Sequence, residues 1–233
     1  MAFKDREDPF VGILVVNKEK GMTSHDVVQL VRRRFVIKKV GHAGTLDPNA
    51  TGVLVLLLGK ATKLSGRFLN EDKEYMATMK LGDRTDSGDS DGKMVISREI
   101  SSSEDEIKEA VSGFVGEISQ VPPMVSAKRV NGKRLYKLAR KGVEVKREPN
   151  KIVISGIEIT NIDMPFVRFR VVCSKGTYVR QLADDIGEKL GCGAHLTDLQ
   201  RIRSGSFTLK EAVSYSSLLD MDRKKLNENI LRL

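Results

Sequence analysis

The chain of 233 residues is poor in the residues that build metal centres and disulfide frameworks. Its two cysteines, Cys173 and Cys192, have neither C-x-x-C spacing nor a nearby histidine pair, so no zinc site and no disulfide scaffold is indicated. Both read as packing thiols. The three histidines, His25, His42 and His195, are scattered, which removes the usual metal constellations. Long apolar runs are missing as well. The longest, Val53 to Leu58, has six residues, against the ~20 a bilayer-spanning helix needs, so no membrane span is expected. The stretch Met1–Asp8 is charged and lacks the apolar region of a secretory signal, which predicts a cytoplasmic protein. There is no internal repeat and no low-complexity tract.

What is present suits one folded domain: hydrophobic residues make up 40% of the chain and charged residues 30%, enough apolar material for a core. Forty Lys and Arg against 31 Asp and Glu give a net charge of +9. Its distribution is uneven. Between Val121 and Lys151 lie ten basic residues (Lys128, Arg129, Lys133, Arg134, Lys137, Arg140, Lys141, Lys146, Arg147, Lys151) and two acids, Glu144 and Glu148, so this segment carries a net +8. A second cluster, Arg32-Arg33-Arg34 with Lys38-Lys39, contains no acid. Two basic patches fit a polyanion laid across the surface. Charge alone does not separate that reading from a lysine-rich solvated surface, and basic residues at the end of a helix also suit its dipole.

Periodicity predicts a strand at Val11–Asn17, a helix over about 25–35 and a glycine-rich loop, Gly41–Gly52, leading into a buried strand at Val53–Leu58. A helix over about 60–69 and a half-buried strand at Tyr75–Leu81 follow, then an acidic loop, Asp83–Gly92. Ser103 and Glu106 form a capping box for a helix over 104–112. A short helix is expected near 134–141, a β-hairpin over 152–173, a helix over about 177–190 and short strands within 196–207. Strands and helices interleave without βαβ repetition, so the expected class is α+β.

The densest candidate for chemistry is the loop Gly41-His42-Ala43-Gly44-Thr45-Leu46-Asp47-Pro48-Asn49-Ala50-Thr51-Gly52. Glycines permit tight backbone paths, and Pro48 fixes the chain just after Asp47, which is how a nucleophilic carboxylate would be held. An Asx-turn is the plainer role for an Asp-Pro pair, and both readings stand on the residues alone. A phosphate-binding loop does not fit, because Gly59-Lys60 is followed by Ala61 and has no glycine five residues earlier.

The string GHAGTLDPNATGVLVLLLGKATK resembles the signature of the TruB family, which converts uridine 55 in the T-loop of tRNA to pseudouridine. The resemblance extends to Gly21-Met22-Thr23-Ser24, Lys73-Glu74-Tyr75, Leu81-Gly82-Asp83-Arg84-Thr85-Asp86 and Asp91-Gly92. It continues with Val121-Pro122-Pro123, Ser126-Ala127, Asn131-Gly132-Lys133-Arg134-Leu135-Tyr136, Lys175-Gly176-Thr177-Tyr178-Val179-Arg180 and Arg203-Ser204-Gly205. It implies the pseudouridine synthase fold, a central mixed, mostly antiparallel sheet flanked by helices and loops. It also implies that the basic segment, about 124–151, is an insertion that closes over RNA.

The same resemblance makes Asp47 the catalytic aspartate, Arg180 its arginine partner and Tyr75 the tyrosine that stacks on the target base. His42 matches the histidine that fills the space left by the flipped base, Lys18 a lysine near the active-site turn, and Leu199 a residue lining the uracil pocket. Arg129 and Lys133 fall among the phosphate contacts. No cofactor is implied, because the reaction is an isomerisation, and the implied partner is the T stem-loop of tRNA, met by a monomer that needs no protein partner. Asn17-Lys18-Glu19 departs from the family's usual Asp-Lys-Pro, and Gln200 stands where arginine is common. The expected organisation is a catalytic domain over 8–213 and a short tail over 214–233, with no C-terminal PUA domain. Two other readings remain: an RNA-binding or tRNA-folding module in which Asp47 is dispensable, and a guide-RNA-dependent synthase of the dyskerin kind.

Overall fold

A computed structural model of the protein describes residues 10–126, 128–130 and 132–232. The charged stretch Met1–Asp8 and the motif positions Ala127 and Asn131 lie outside the described residues. The chain begins with β1 (Gly12–Lys18), α1 (Ser24–Arg34), β2 (Val40–His42), β3 (Thr51–Leu58), α2 (Ser65–Leu69), β4 (Lys73–Leu81), β5 (Asp83–Thr85) and β6 (Met94–Ser97). There follow α3 (Glu104–Ser112), β7 (Gly116–Gln120), β8 (Arg129–Val130), β9 (Lys133–Arg134), α4 (Leu135–Ala139), β10 (Asn150–Asp163) and β11 (Phe166–Cys173). The remainder holds α5 (Val179–Lys189), β12 (Ala194–Ser204), β13 (Phe207–Thr208), β14 (Val213–Ser214), α6 (Tyr215–Asp220) and α7 (Arg223–Glu228). The class is α+β, as expected. No helix among the described residues is long and apolar enough to cross a membrane.

The chain divides into two compact units, one running to Glu74 and resuming at Gln200, the other Tyr75–Leu199. In the first, β1 and β3 pair antiparallel from Gly12↔Leu58 to Lys18↔Gly52, β14 runs parallel to β1, and β2 pairs with β3. Strands β1 and β3 are apolar on both faces and are buried on both. Ile13, Val15, Val53, Val55 and Leu57 pack with Ala43, Ala61 and Phe68 on one side, and Phe207 closes over Phe68 at 5.9 Å between ring centroids. Alternation puts Leu14, Val16, Leu54 and Leu56, all buried, on the other face. Each such side chain contributes about 1.5–3 kcal/mol.

Thr23 caps α1 through a capping box with Asp26, and the buried Val27, Val28 and Val31 form the expected apolar stripe. The helix expected over 60–69 is instead a 3-10 stretch, Gly59–Leu64, followed by the short α2. The Thr62 hydroxyl donates to the Gly59 carbonyl at 2.8 Å, a local bond that competes with the α-helical ladder. Residues 214–232, expected as a tail, hold α6 and α7, with Leu218, Leu226 and Ile230 buried, and Leu231 exchanges both backbone hydrogen bonds with Ile13.

The second unit contains a sheet in the order β4-β11-β10-β7, in which β10 pairs antiparallel with both β11 and β7. The hairpin β10–β11 matches the expected one, with Val167, Phe169, Val171 and Cys173 alternating inward. Helices α3 and α5 pack against each other, and α3 lies on β10. Their buried faces are Ile107, Ala110 and Val111, and Val179, Leu182, Ala183 and Ile186. The Ser103–Glu106 capping box forms as predicted. Part of the expected acidic loop is a ribbon, β5 paired with β6, and residues expected as several short strands form the single strand β12 with β13 beside its end.

Candidate active site

Asp47 lies in the loop between β2 and β3, whose main chain is bonded at every carbonyl from Gly44 to Pro48. The Arg201 guanidinium donates from Nη2 to the Gly44 carbonyl at 3.1 Å, more weakly from Nη1 to that of Thr45 at 3.5 Å, and from Nε to that of Val53 at 2.7 Å. The Ser24 hydroxyl donates to the Leu46 carbonyl at 3.1 Å and accepts from the Leu46 N–H at 2.8 Å. The Asp47 carbonyl accepts from the Ala50 N–H at 3.1 Å, closing the turn that Pro48 favours. The Pro48 carbonyl accepts from Lys18 Nζ and from the Gly21 N–H, each at 3.0 Å. Asp47 itself is half-buried.

Lys18 ends β1 with 0% exposure, and its ammonium also donates to the carbonyls of Glu19 at 2.9 Å and Met22 at 2.8 Å. Burial lowers its pKa to about 8, against the opposing attraction of Asp47 and with further lowering by Arg201. It ties the turn after β1 to the Asp47 loop. His42, on β2, is half-buried, and its Nδ1 is buried with no hydrogen-bond partner among the described residues. Burial first, then the positive charge of Arg201, pushes its pKa below the usual value, which favours a neutral imidazole. Lys18, His42 and Asp47 therefore share one unit with Arg201.

Tyr75, Arg129, Lys133, Arg180 and Leu199 belong to the second unit. Tyr75 points inward on β4 with 9% exposure, and Leu199 is half-buried on β12. Arg180, in the first turn of α5, is 4% exposed; it donates from Nη1 to the Ser87 carbonyl at 2.7 Å and from Nη2 to the Val125 carbonyl at 2.8 Å, and its Nε lies 3.6 Å from Asp89 Oδ2. One guanidinium thus holds the loop after β5 and the segment preceding β8. Helix α5 is placed by Gln120, which donates to the Tyr178 carbonyl at 3.1 Å and accepts from its N–H at 2.8 Å. Arg84 fixes the same helix through a two-point bond to Asp184, at 2.6 and 3.0 Å.

Arg129 and Lys133 are exposed on the hairpin β8–β9, in the register Arg129↔Arg134 and Val130↔Lys133. In this segment Lys146, Arg147 and Lys151 have carboxylate partners. Arg129, Lys133, Lys137, Arg140 and Lys141 form no ion pair among the described residues, which leaves their charge for an outside anion.

Sequence reasoning did not assign Arg201, Asp89, Gln120 or Ser24. Arg201 and Gln120 sit beside motif residues already singled out, Leu199 and Val121-Pro122-Pro123, but their partners are main-chain groups far away in sequence, which leave no spacing pattern.

Residues 32–179 match the family model described as TruB family pseudouridylate synthase (N terminal domain), and residues 180–233 match that of the tRNA pseudouridylate synthase B C-terminal domain. The tRNA pseudouridine synthase B of Protochlamydia amoebophila is 49% identical over 222 residues, covering 95% of this chain and 84% of the relative. That of Clostridium acetobutylicum is also 49% identical over 222 residues, covering 95% and 76%. Among solved structures, the chain superposes on one from a Cbf5-Nop10-Gar1 complex with a TM-score of 0.75 at 30% identity, covering 99% of this chain and 66% of that one, just under two thirds. Since the longer matched span holds the Asp47 loop, Tyr75 and the basic insertion together, the chain belongs to the TruB family of pseudouridylate synthases.

Proposed function

We propose that this protein isomerises a uridine of tRNA to pseudouridine, at position 55 in the T-loop, acting as a monomer without a protein partner or guide RNA. The observation that carries the reading is the seat of Asp47: a half-exposed carboxylate on a loop whose every carbonyl from Gly44 to Pro48 is bonded, in a chain of this family. Such fixation suits a group that must meet one atom of a bound nucleotide, because orientation lowers the barrier only when the geometry is held. The reaction breaks the N1–C1′ bond, turns the uracil and joins C5 to C1′; C5 loses its proton and N1 gains one, so no electron acceptor is called for. Asp47 meets the electron-poor C1′ or the sugar proton beside it, as carboxylates do in glycosidic chemistry.

The target base leaves its stack at a cost of a few kcal/mol. A neutral His42 is suited to the vacated space, since it brings no charge among the bases. Tyr75 and Arg180 take the roles the family resemblance implies. Arg129 and Lys133, with the other unpaired cations of the insertion, bind phosphates and position the stem-loop. Relatives that are 49% identical over 222 residues and named for tRNA support a tRNA substrate over a guide-directed one.

The test is tritium release from a T stem-loop RNA labelled at uracil C5, with purified protein alone. Release by the native protein and none by Asp47→Asn is the expected result. Equal release by both proteins overturns the role of Asp47, and tight binding without release favours a folding module. Release that appears only on adding a guide RNA or cell extract supports the dyskerin-like reading.

A further inference from the structure

Arg201 is 1% exposed and forms no ion pair among the described residues; its donors go to the carbonyls of Gly44, Thr45 and Val53. A buried cation satisfied only by main-chain dipoles is costly, and a neutral side chain would fill the same space at lower cost. What arginine adds is a rigid fork with five donors, able to reach carbonyls on two separate stretches of chain at once. Here those stretches are β3, at Val53, and the limb of the loop that leads into Asp47. The backbone beneath is shaped for this contact. Arg201 pairs with Gly52 across β12 and β3, and Gly44 has φ +110°, a conformation that turns its carbonyl toward the guanidinium at little strain only because the residue is glycine.

On the other side of Asp47, the Pro48 carbonyl is already held by Lys18 and Gly21, and the Leu46 peptide by Ser24. Nothing except Arg201 bonds the Gly44 and Thr45 carbonyls among the hydrogen bonds of the described residues. We propose that Arg201 is a positioning residue for the isomerisation, its guanidinium fixing the N-terminal limb of the Asp47 loop through the carbonyls of Gly44 and Thr45. The proposal rests on the function proposed above and adds to it a residue that touches neither base nor sugar. Without the fork the limb has two unbonded carbonyls and more than one available path, so the carboxylate loses its fixed distance to C1′ while the RNA-binding surface is unchanged.

The experiment is single-turnover tritium release from C5-labelled tRNA with enzyme in excess, for wild-type, Arg201→Met, Arg201→Lys and Asp47→Asn proteins, beside the Kd of each for the same RNA. Enzyme in excess makes the rate constant insensitive to a modest loss of folded protein, which is all that a merely structural arginine would cause. The expected rate is ~100-fold lower for Arg201→Met, as a small misplacement of a reacting group costs, and ~10-fold lower for Arg201→Lys, with each Kd within about threefold of wild type. A rate within twofold of wild type for a folded Arg201→Met overturns the proposal, as does a loss of rate matched by a loss of RNA affinity. Should Arg201→Met not fold, Arg201→Lys, which keeps the charge and the aliphatic stem, decides the matter by the same criteria. Wild-type protein that binds the tRNA and releases no tritium overturns the proposed function and this proposal with it, whereas active wild type with unaffected variants overturns this proposal alone.

Discussion

The ammonium of Lys18 is surrounded by three carbonyls and has no exposed surface, and its pKa of about 8 lies below the 10.5 of a free lysine because burial outweighs the attraction of Asp47. Between those two values the unfolded chain binds more protons than the folded one, so the contribution of Lys18 to stability is lowest below about pH 8 and rises as the pH climbs toward 10.5. The stability gap between wild type and Lys18→Met should therefore widen in favour of wild type from pH 7.5 to 10, by on the order of 2 kcal/mol. Urea midpoints at the two pH values measure it, and a gap that narrows or stays constant sinks the assignment. At this scale the motif pointed to the Asp47 loop, and the structure shows that loop held through its main chain. The sequence was silent on Ser24, Gln120 and Arg201, each a polar side chain used to bond main chain; for Arg201 the bonded carbonyl of Val53 lies 148 residues away.

Among the elements, β12 runs parallel to β3 in the register Gln200↔Thr51 and Arg201↔Gly52, a pairing that depends on the missing side chain of Gly52. At Gly52 φ is +100°, and a Cβ there would lie 2.2 Å from the Arg201 carbonyl oxygen. Gly52→Ala is expected to cost at least ~3 kcal/mol, from backbone strain together with the displaced strand, and to lower activity by shifting Arg201. Thermal or urea unfolding beside the tritium assay reads both effects, and a variant as stable as wild type would contradict the close approach of the two strands. Helix α1 was legible from its apolar spacing and α3 from its capping box, both of them local signals. The sheet edge β7, with the sequence GEISQ, was not, because its single large apolar residue, Ile118, makes no pattern and its pairing with β10 is set by residues some thirty positions on. Ribbon β5–β6 was hidden for a related reason: Met94 and Val95 are exposed, so the strand shows no alternation of buried and polar residues.

For the molecule as a whole, the net charge of +9 is an electrostatic statement about partners, since nearly all of it resides in one insertion whose cations mostly have no carboxylate partner among the described residues. Replacing Arg129, Lys133, Lys137, Arg140 and Lys141 by glutamine should weaken tRNA binding and flatten the plot of log K against log salt, by ~0.7–0.9 for each phosphate that is no longer neutralised. Single-turnover rates at saturating enzyme should change little, because phosphate contacts position a nucleic acid rather than act on its bases. An unchanged salt slope would remove the insertion from the binding surface.

The seat of Asp47 has an implication for how such a loop can drift in sequence. Lys18, Ser24 and Arg201 grip it by its peptide groups, while the side chains of Thr45 and Pro48 face solvent and that of Asn49 is half-buried. Mutational freedom and geometric constraint are thereby separated: substitutions at 45 and 49 leave the carboxylate in place, and intolerance is displaced to the distant donors at 18, 24 and 201. A deep mutational scan of this chain would find its tolerant positions beside Asp47 and its intolerant ones in strands and helices far from it in sequence.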